Sequence, residues 1–112
     1  MSYRKYNARK TVVDGITFDS KKEAQRYSEL KLMEKAGEIF YLELQPRFLL
    51  QDKFRYKGAA FRKVEYIADF RYTDKTGATV VEDVKGYKTE TYNIKKKLLL
   101  FQYGELIDFR EI

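Results

Sequence analysis

Residues 65–88 read EYIADFRYTDKTGATVVEDVKGYK, two runs rich in β-branched and aromatic residues on either side of the turn Asp74-Lys75-Thr76-Gly77. Runs of this kind pack a sheet, and a hairpin built from them constrains the fold more than any other stretch of the chain. The hairpin carries an anomaly. Asp69 lies between Ala68 and Phe70, and Glu82, Asp83 and Lys85 crowd one end of an apolar run. Tyr66, Ile67, Ala68 and Phe70 have the character of a central strand, where an unpaired carboxylate is costly.

Other signals place the remaining elements around this hairpin. TVVDGITF, residues 11–18, predicts a small hairpin with Asp14-Gly15 as a type I′ turn. Residues 19–38 predict a helix: Asp19 or Ser20 caps it, Ala24, Tyr27, Leu30 and Met33 recur at helical intervals, and Gly37 stops it. EIFYLELQPRFLLQ is extended and broken at the single proline, Pro46. Lys57-Gly58 marks a turn into a long strand over residues 60–72. Residues 89–103 predict a second helix with Tyr92, Lys95, Lys96, Leu99 and Tyr103 along one side, and residues 105–112 a closing strand. The expectation is one mixed α/β (α+β) domain over residues 1–112, a mixed sheet flanked by two main helices.

Composition narrows the chemistry. The 112 residues include neither cysteine nor histidine, which excludes disulfides, thiolate metal sites and the commonest general base. Any catalysis must run on carboxylates, lysines, tyrosines or a bound metal. A formal charge of +6 favours a polyanionic partner, nucleic acid above all. No apolar run approaches the roughly 20 residues a membrane helix needs. The opening MSYRKYNARK lacks the apolar core of a secretory signal, so a cytoplasmic protein without a membrane partner is expected. Within it, Arg4, Lys5, Arg9 and Lys10 form either a solvated tail or a basic arm along a phosphate backbone.

Side chains two apart on a strand share a face, so Asp83 and Lys85 project together while Val84 points away. Asp69, on the partner strand, can reach that face. Neighbouring carboxylates repel unless a cation lies between them, and a hard divalent ion such as magnesium suits oxygen ligands. Glu23 adds an acid on the helix side that carries Tyr27 and Leu30. Each part has an ordinary alternative: Glu23 as the far end of a capping box with Ser20, and Asp83 with Lys85 as a surface ion pair.

These residues resemble the PD-(D/E)XK nuclease superfamily, with its restriction-endonuclease-like fold. FDSKKEAQRYSEL, LELQPRF, YIADFRY and VVEDVKGYK together resemble small phage and prophage proteins assigned to it, over nearly the whole chain. The resemblance implies that Glu23, Asp69 and Asp83 hold magnesium (or manganese), with the Val84 carbonyl as a further ligand. Lys85 would position the attacking water. Gln45 would be an auxiliary polar residue or a turn cap. Lys88, Lys95 and Lys96 would grip the backbone, unless IKKKLLL is an ordinary amphipathic helix with lysines outside and leucines inside. Ala68 replaces the superfamily's proline, and Glu82 fills a usually apolar position. Alternation chooses Asp83 over Glu82 as ligand, leaving Glu82 to support the site or contact solvent. The implied activity is DNA phosphodiester hydrolysis by a phage-encoded, Holliday junction resolvase-like enzyme in the bacterial cytoplasm. Structure-selective cutting or a homodimer is expected over a lone sequence-specific cutter. The alternative is a nucleic-acid-binding protein that does not cut.

Overall fold

A computed structural model of the chain describes residues 10–84 and 88–112. These form β1 (Thr11–Val13), β2 (Ile16–Phe18), α1 (Lys21–Lys35), β3 (Ile39–Leu44), β4 (Arg47–Gln51), β5 (Phe54–Tyr56), β6 (Ala59–Phe61), β7 (Val64–Ile67), β8 (Phe70–Asp74), β9 (Thr79–Asp83), α2 (Glu90–Tyr103) and β10 (Asp108–Glu111). Among them no helix is long and apolar enough to cross a membrane.

Local chemistry sets the ends of α1. The Ser20 hydroxyl accepts the Glu23 N–H at 3.1 Å, satisfying one of the donors a helix start leaves open. At the other end Gly37 takes φ +76°, and the N–H groups of Gly37 and Glu38 turn back to the carbonyls of Glu34 and Met33. Thr89 caps α2 in the same way, accepting the Tyr92 N–H at 3.0 Å.

A four-stranded mixed sheet has the order β10-β9-β8-β3. β9 and β10 are parallel, and α2 supplies the crossover between them. β3 pairs antiparallel with β8, and β4 with β7. The ladder continues across the gap: Gln45 N–H donates to the Asp69 carbonyl at 3.0 Å, and Ala68 N–H to that of Pro46 at 3.1 Å. The chain from β3 to β4 and the chain from β7 to β8 therefore make one long, bent pair. The single strand expected over residues 60–72 is instead β6, β7 and β8. The break between β7 and β8 has a specific cause. Phe70 is the register partner of Glu82, yet Asp69 N–H also donates to the Glu82 carbonyl at 3.1 Å. Two residues oppose one, which is a β-bulge at Asp69. Across from it, Gln45 takes φ +51° just before buried Pro46.

The bulge reverses the side-chain phase. Phe70 and Tyr72 pack with Ala24, Tyr27 and Leu30 of α1, whereas Tyr66 and Ala68 pack with Leu99 of α2. Val80 and Val81, adjacent on β9, serve these two cores separately. The sheet is thus covered by α1 on one face and α2 on the other, as a mixed sheet with two helices predicts. Tyr92, Lys95, Lys96, Leu99 and Tyr103 do form the inner side of α2. The leucines do not divide as expected. Leu99 is fully buried, but Leu98 and Leu100 are exposed, because residues one apart on a helix diverge by about 100°.

On the α1 face Glu82 is fully buried. Arg26 of α1 donates to its two oxygens at 2.7 and 2.7 Å, and the Tyr72 hydroxyl donates as well. Burial, then this bond, pushes the Tyr72 hydroxyl up to about 12. Removing one partner strands a buried charge, so Glu82→Ala should cost about 3 kcal/mol in urea unfolding. Tyr72→Phe should cost about 1 kcal/mol. Replacing Arg26 and Glu82 together by methionine should restore most of the loss.

Candidate active site

The carboxylates singled out in the sequence lie at the C-terminal end of β9, where its pairing with β8 stops. The Asp69 carboxylate accepts the Val84 N–H at 2.7 Å, taking a backbone donor that has left the ladder. Asp83, fully buried, accepts a hydrogen bond from the Tyr66 hydroxyl. Burial, followed by that bond, raises the Tyr66 hydroxyl far above its ordinary range. Glu23 is buried on the inward side of α1. One turn further along, Arg26 holds Glu82, and Val84 follows Glu82 on the same face of β9. Glu23 directly precedes Ala24, whose side chain packs in the same core as that of Val84.

Asp69 and Asp83 thus flank Val84, and Glu23 belongs to the core that Val84 enters, but the three acids lie in different layers. Asp83 points toward the α2 layer with Tyr66, Glu23 belongs to the α1 layer, and Asp69 sits in the bulge between them. Among the described residues no three acidic side chains group closely enough to hold one metal ion. Glu82 does not contact solvent, contrary to one expectation; Arg26 and Tyr72 occupy it. Lys85 lies outside the described residues, as do Arg4, Lys5 and Arg9. Gln45 has an exposed side chain, and its backbone forms the left-handed step opposite Asp69. Lys10 pairs with Asp19 at 3.1 Å. Lys88 and Lys96 both reach Glu111 of β10, at 3.2 and 3.0 Å, and Lys95 is half-buried on the inner side of α2.

Residues 3–110 match the family model described as Protein of unknown function (DUF1064). The chain belongs to the DUF1064 family. No curated protein and no solved structure matches it.

In this DUF1064 chain three elements of the site's surroundings escaped the reading of the sequence. Arg26 is 56 residues from Glu82, and only the fold joins them, although a glutamate inside VVEDV signalled the need for a cation. Tyr66 and Tyr72 read as core aromatics, and their hydroxyls turn out to bind the buried acids. Glu111, register partner of Asp83 on β10, gathers Lys88, Lys96 and the Tyr92 hydroxyl.

The Tyr92 bond and then the two lysines hold the Glu111 carboxyl down from its ordinary 4.5 to about 2. A carboxyl lowered on folding contributes stability that is complete above pH 4.5 and is lost as pH falls toward about 2. Urea midpoints across that window should decline less steeply in Glu111→Gln than in the unaltered protein. Parallel slopes would remove Glu111 from this account.

Proposed function

We propose that this DUF1064 protein is a magnesium-dependent endonuclease with a restriction-endonuclease-like arrangement, hydrolysing DNA phosphodiester bonds and selecting branched or recombining DNA. The observation that carries this reading is the pair of carboxylates where β8 and β9 part, Asp69 on the Val84 N–H and buried Asp83 on the Tyr66 hydroxyl, with Glu23 buried on the inward side of α1. In a chain without histidine or cysteine, inward carboxylates at a strand end form the natural hydrolytic centre. A mixed sheet covered by two helices is compatible with that arrangement.

The donors suit the ion, since all are hard oxygens. Magnesium is commonly held by one or two carboxylates, with water and substrate phosphate completing its shell. Asp69 and Asp83, on adjacent strands, would hold it, and Glu23 would supply a further acid from α1. When bound, the ion lowers the pKa of a coordinated water and neutralises charge on the phosphate. The chain's own part is positional. The bulge fixes Asp69 against the Val84 N–H, and Tyr66 fixes Asp83. Lys85, two residues after Asp83, would orient the attacking water.

A second reading has one observation in its favour. The described residues hold no ready-made three-acid group, as expected of a nuclease-like scaffold that binds nucleic acid without cutting it. Supercoiled plasmid and a four-way junction, each with magnesium, manganese or EDTA, separate the two. The nuclease should nick only with metal, and Asp83→Asn, Asp69→Asn and Lys85→Ala should each lower the rate about 100-fold or more while sparing DNA binding. Gel shifts without cleavage in either metal would support the binder.

A further inference from the structure

The longest run of exposed residues in the described chain is Gln51 to Lys63. It contains the ribbon of β5 and β6, closed at Lys57 (φ +49°) and Gly58 (φ +81°), the two-residue type I′ turn that keeps a hairpin tight. Cross-strand pairing puts Phe54 opposite Phe61 and Tyr56 opposite Ala59. The two phenylalanine rings stack at 4.9 Å with an interplanar angle of 8°. Phe54 and Phe61 nevertheless remain 45% and 46% exposed, and Tyr56 is 61% exposed. One face of the ribbon is therefore aromatic and open.

The other face is cationic. Arg55 lies opposite Ala60, and Lys53 and Arg62, the residues that flank the Phe54–Phe61 pair away from the turn, continue that side toward the base of the ribbon. From Asp52 to Lys63 there are five lysines and arginines against one acid. Lys63 pairs with Glu65 at 3.4 Å and Lys57 lies over the Tyr56 ring at 5.4 Å. Every residue of both faces is exposed. A core-forming hairpin would hide its aromatics, and a solubilising one would not carry them.

We propose that this ribbon is a docking element for nucleic acid with unstacked bases, such as a single strand leaving a duplex. Only a polyanion matches the charge, and only exposed base faces reward flat rings; an intact duplex hides its base faces. Bases stack on Tyr56 and the outer faces of Phe54 and Phe61, and Lys53, Arg55 and Arg62 meet phosphates from the reverse side. Phe61 and Asp69 are eight residues apart along the chain through β7, at most about 25 Å at the rise of an extended strand. That is about seven base-pair steps. The proposal rests on the nucleic-acid reading above and names the feature of the substrate that is held.

The test is fluorescence anisotropy of the full chain in EDTA, with a single strand, a blunt duplex and a splayed fork of the same sequence. Single strand and fork should bind more tightly than duplex. Tyr56→Ser, and separately Phe54→Leu with Phe61→Leu, should weaken those two about ten-fold or more and leave duplex binding nearly unchanged. Lys53, Arg55 and Arg62 changed together to alanine should reduce the single-strand salt slope by about 2. Variants that bind like the unaltered protein, or an unaltered protein that prefers blunt duplex, would overturn the proposal. Tight single-strand binding without metal-dependent cleavage would sustain the ribbon and defeat the nuclease; no binding to any of the three would defeat both.

Discussion

Asp69 and Phe70 share one partner, Glu82, and much of the architecture follows from that extra residue. In an unbroken antiparallel pair, Ala68 and Phe70 would face the same layer. The bulge instead sends Ala68 to α2 and Phe70 to α1, so a short chain builds two cores on one bent pair of strands. Gln45 and Pro46 bend the facing strand at the same level. A carboxylate suits this position because the bulge frees a donor: with β8 no longer alongside, the Val84 N–H needs an acceptor, and Asp69 supplies it at 2.7 Å. The residue that interrupts the apolar pattern is also the one that closes the ladder.

The buried acids Glu82 and Asp83 are bonded separately. Glu82 has a guanidinium and a phenol, and Asp83 a phenol, so adjacent residues on β9 carry carboxylates into opposite layers without facing each other. Low dielectric strengthens such bonds and penalises their loss, which makes this end of the sheet stiff. Stiffness is what the proposed hydrolytic centre would need from its carboxylates. The same fixed partners mean that Glu82 is unsuited to hold a metal, because Arg26 already takes both of its oxygens.

Features governed by neighbouring residues were legible in the sequence. Ser20 and Gly37 bound α1, Asp14-Gly15 and Lys57-Gly58 turn with positive φ, and Glu23 lies inward with Tyr27 and Leu30, as their spacing requires. The inner side of α2 was legible for the same reason. What escaped depends on pairing across the chain. Strict alternation assumes one residue opposite one, so it could not show that Asp69 shifts the phase, nor that Glu23 and Asp83 end in different layers. Lys88 and Lys96 read as free cations until the parallel pairing of β10 brings Glu111 beside Asp83 and the lysines to Glu111.

That last pairing bears on where a polyanion would first touch the protein. Lys88 and Lys96 are partly neutralised by Glu111, and Lys10 by Asp19, so a phosphate must displace an existing partner at each. On the ribbon, Lys53, Arg55 and Arg62 are exposed, and among the described residues no ion pair holds them. Long-range attraction acts on charge that is exposed and uncompensated, and within a Debye length of about 8 Å the local excess counts for more than the total of +6. On the proposed reading, a strand captured at the ribbon would have the bent pair of β4 and β7 as its path toward Asp69. The charge distribution is thus divided along the chain, with cations on the ribbon and acids where the two strands part, as the proposed division between holding and chemistry would require.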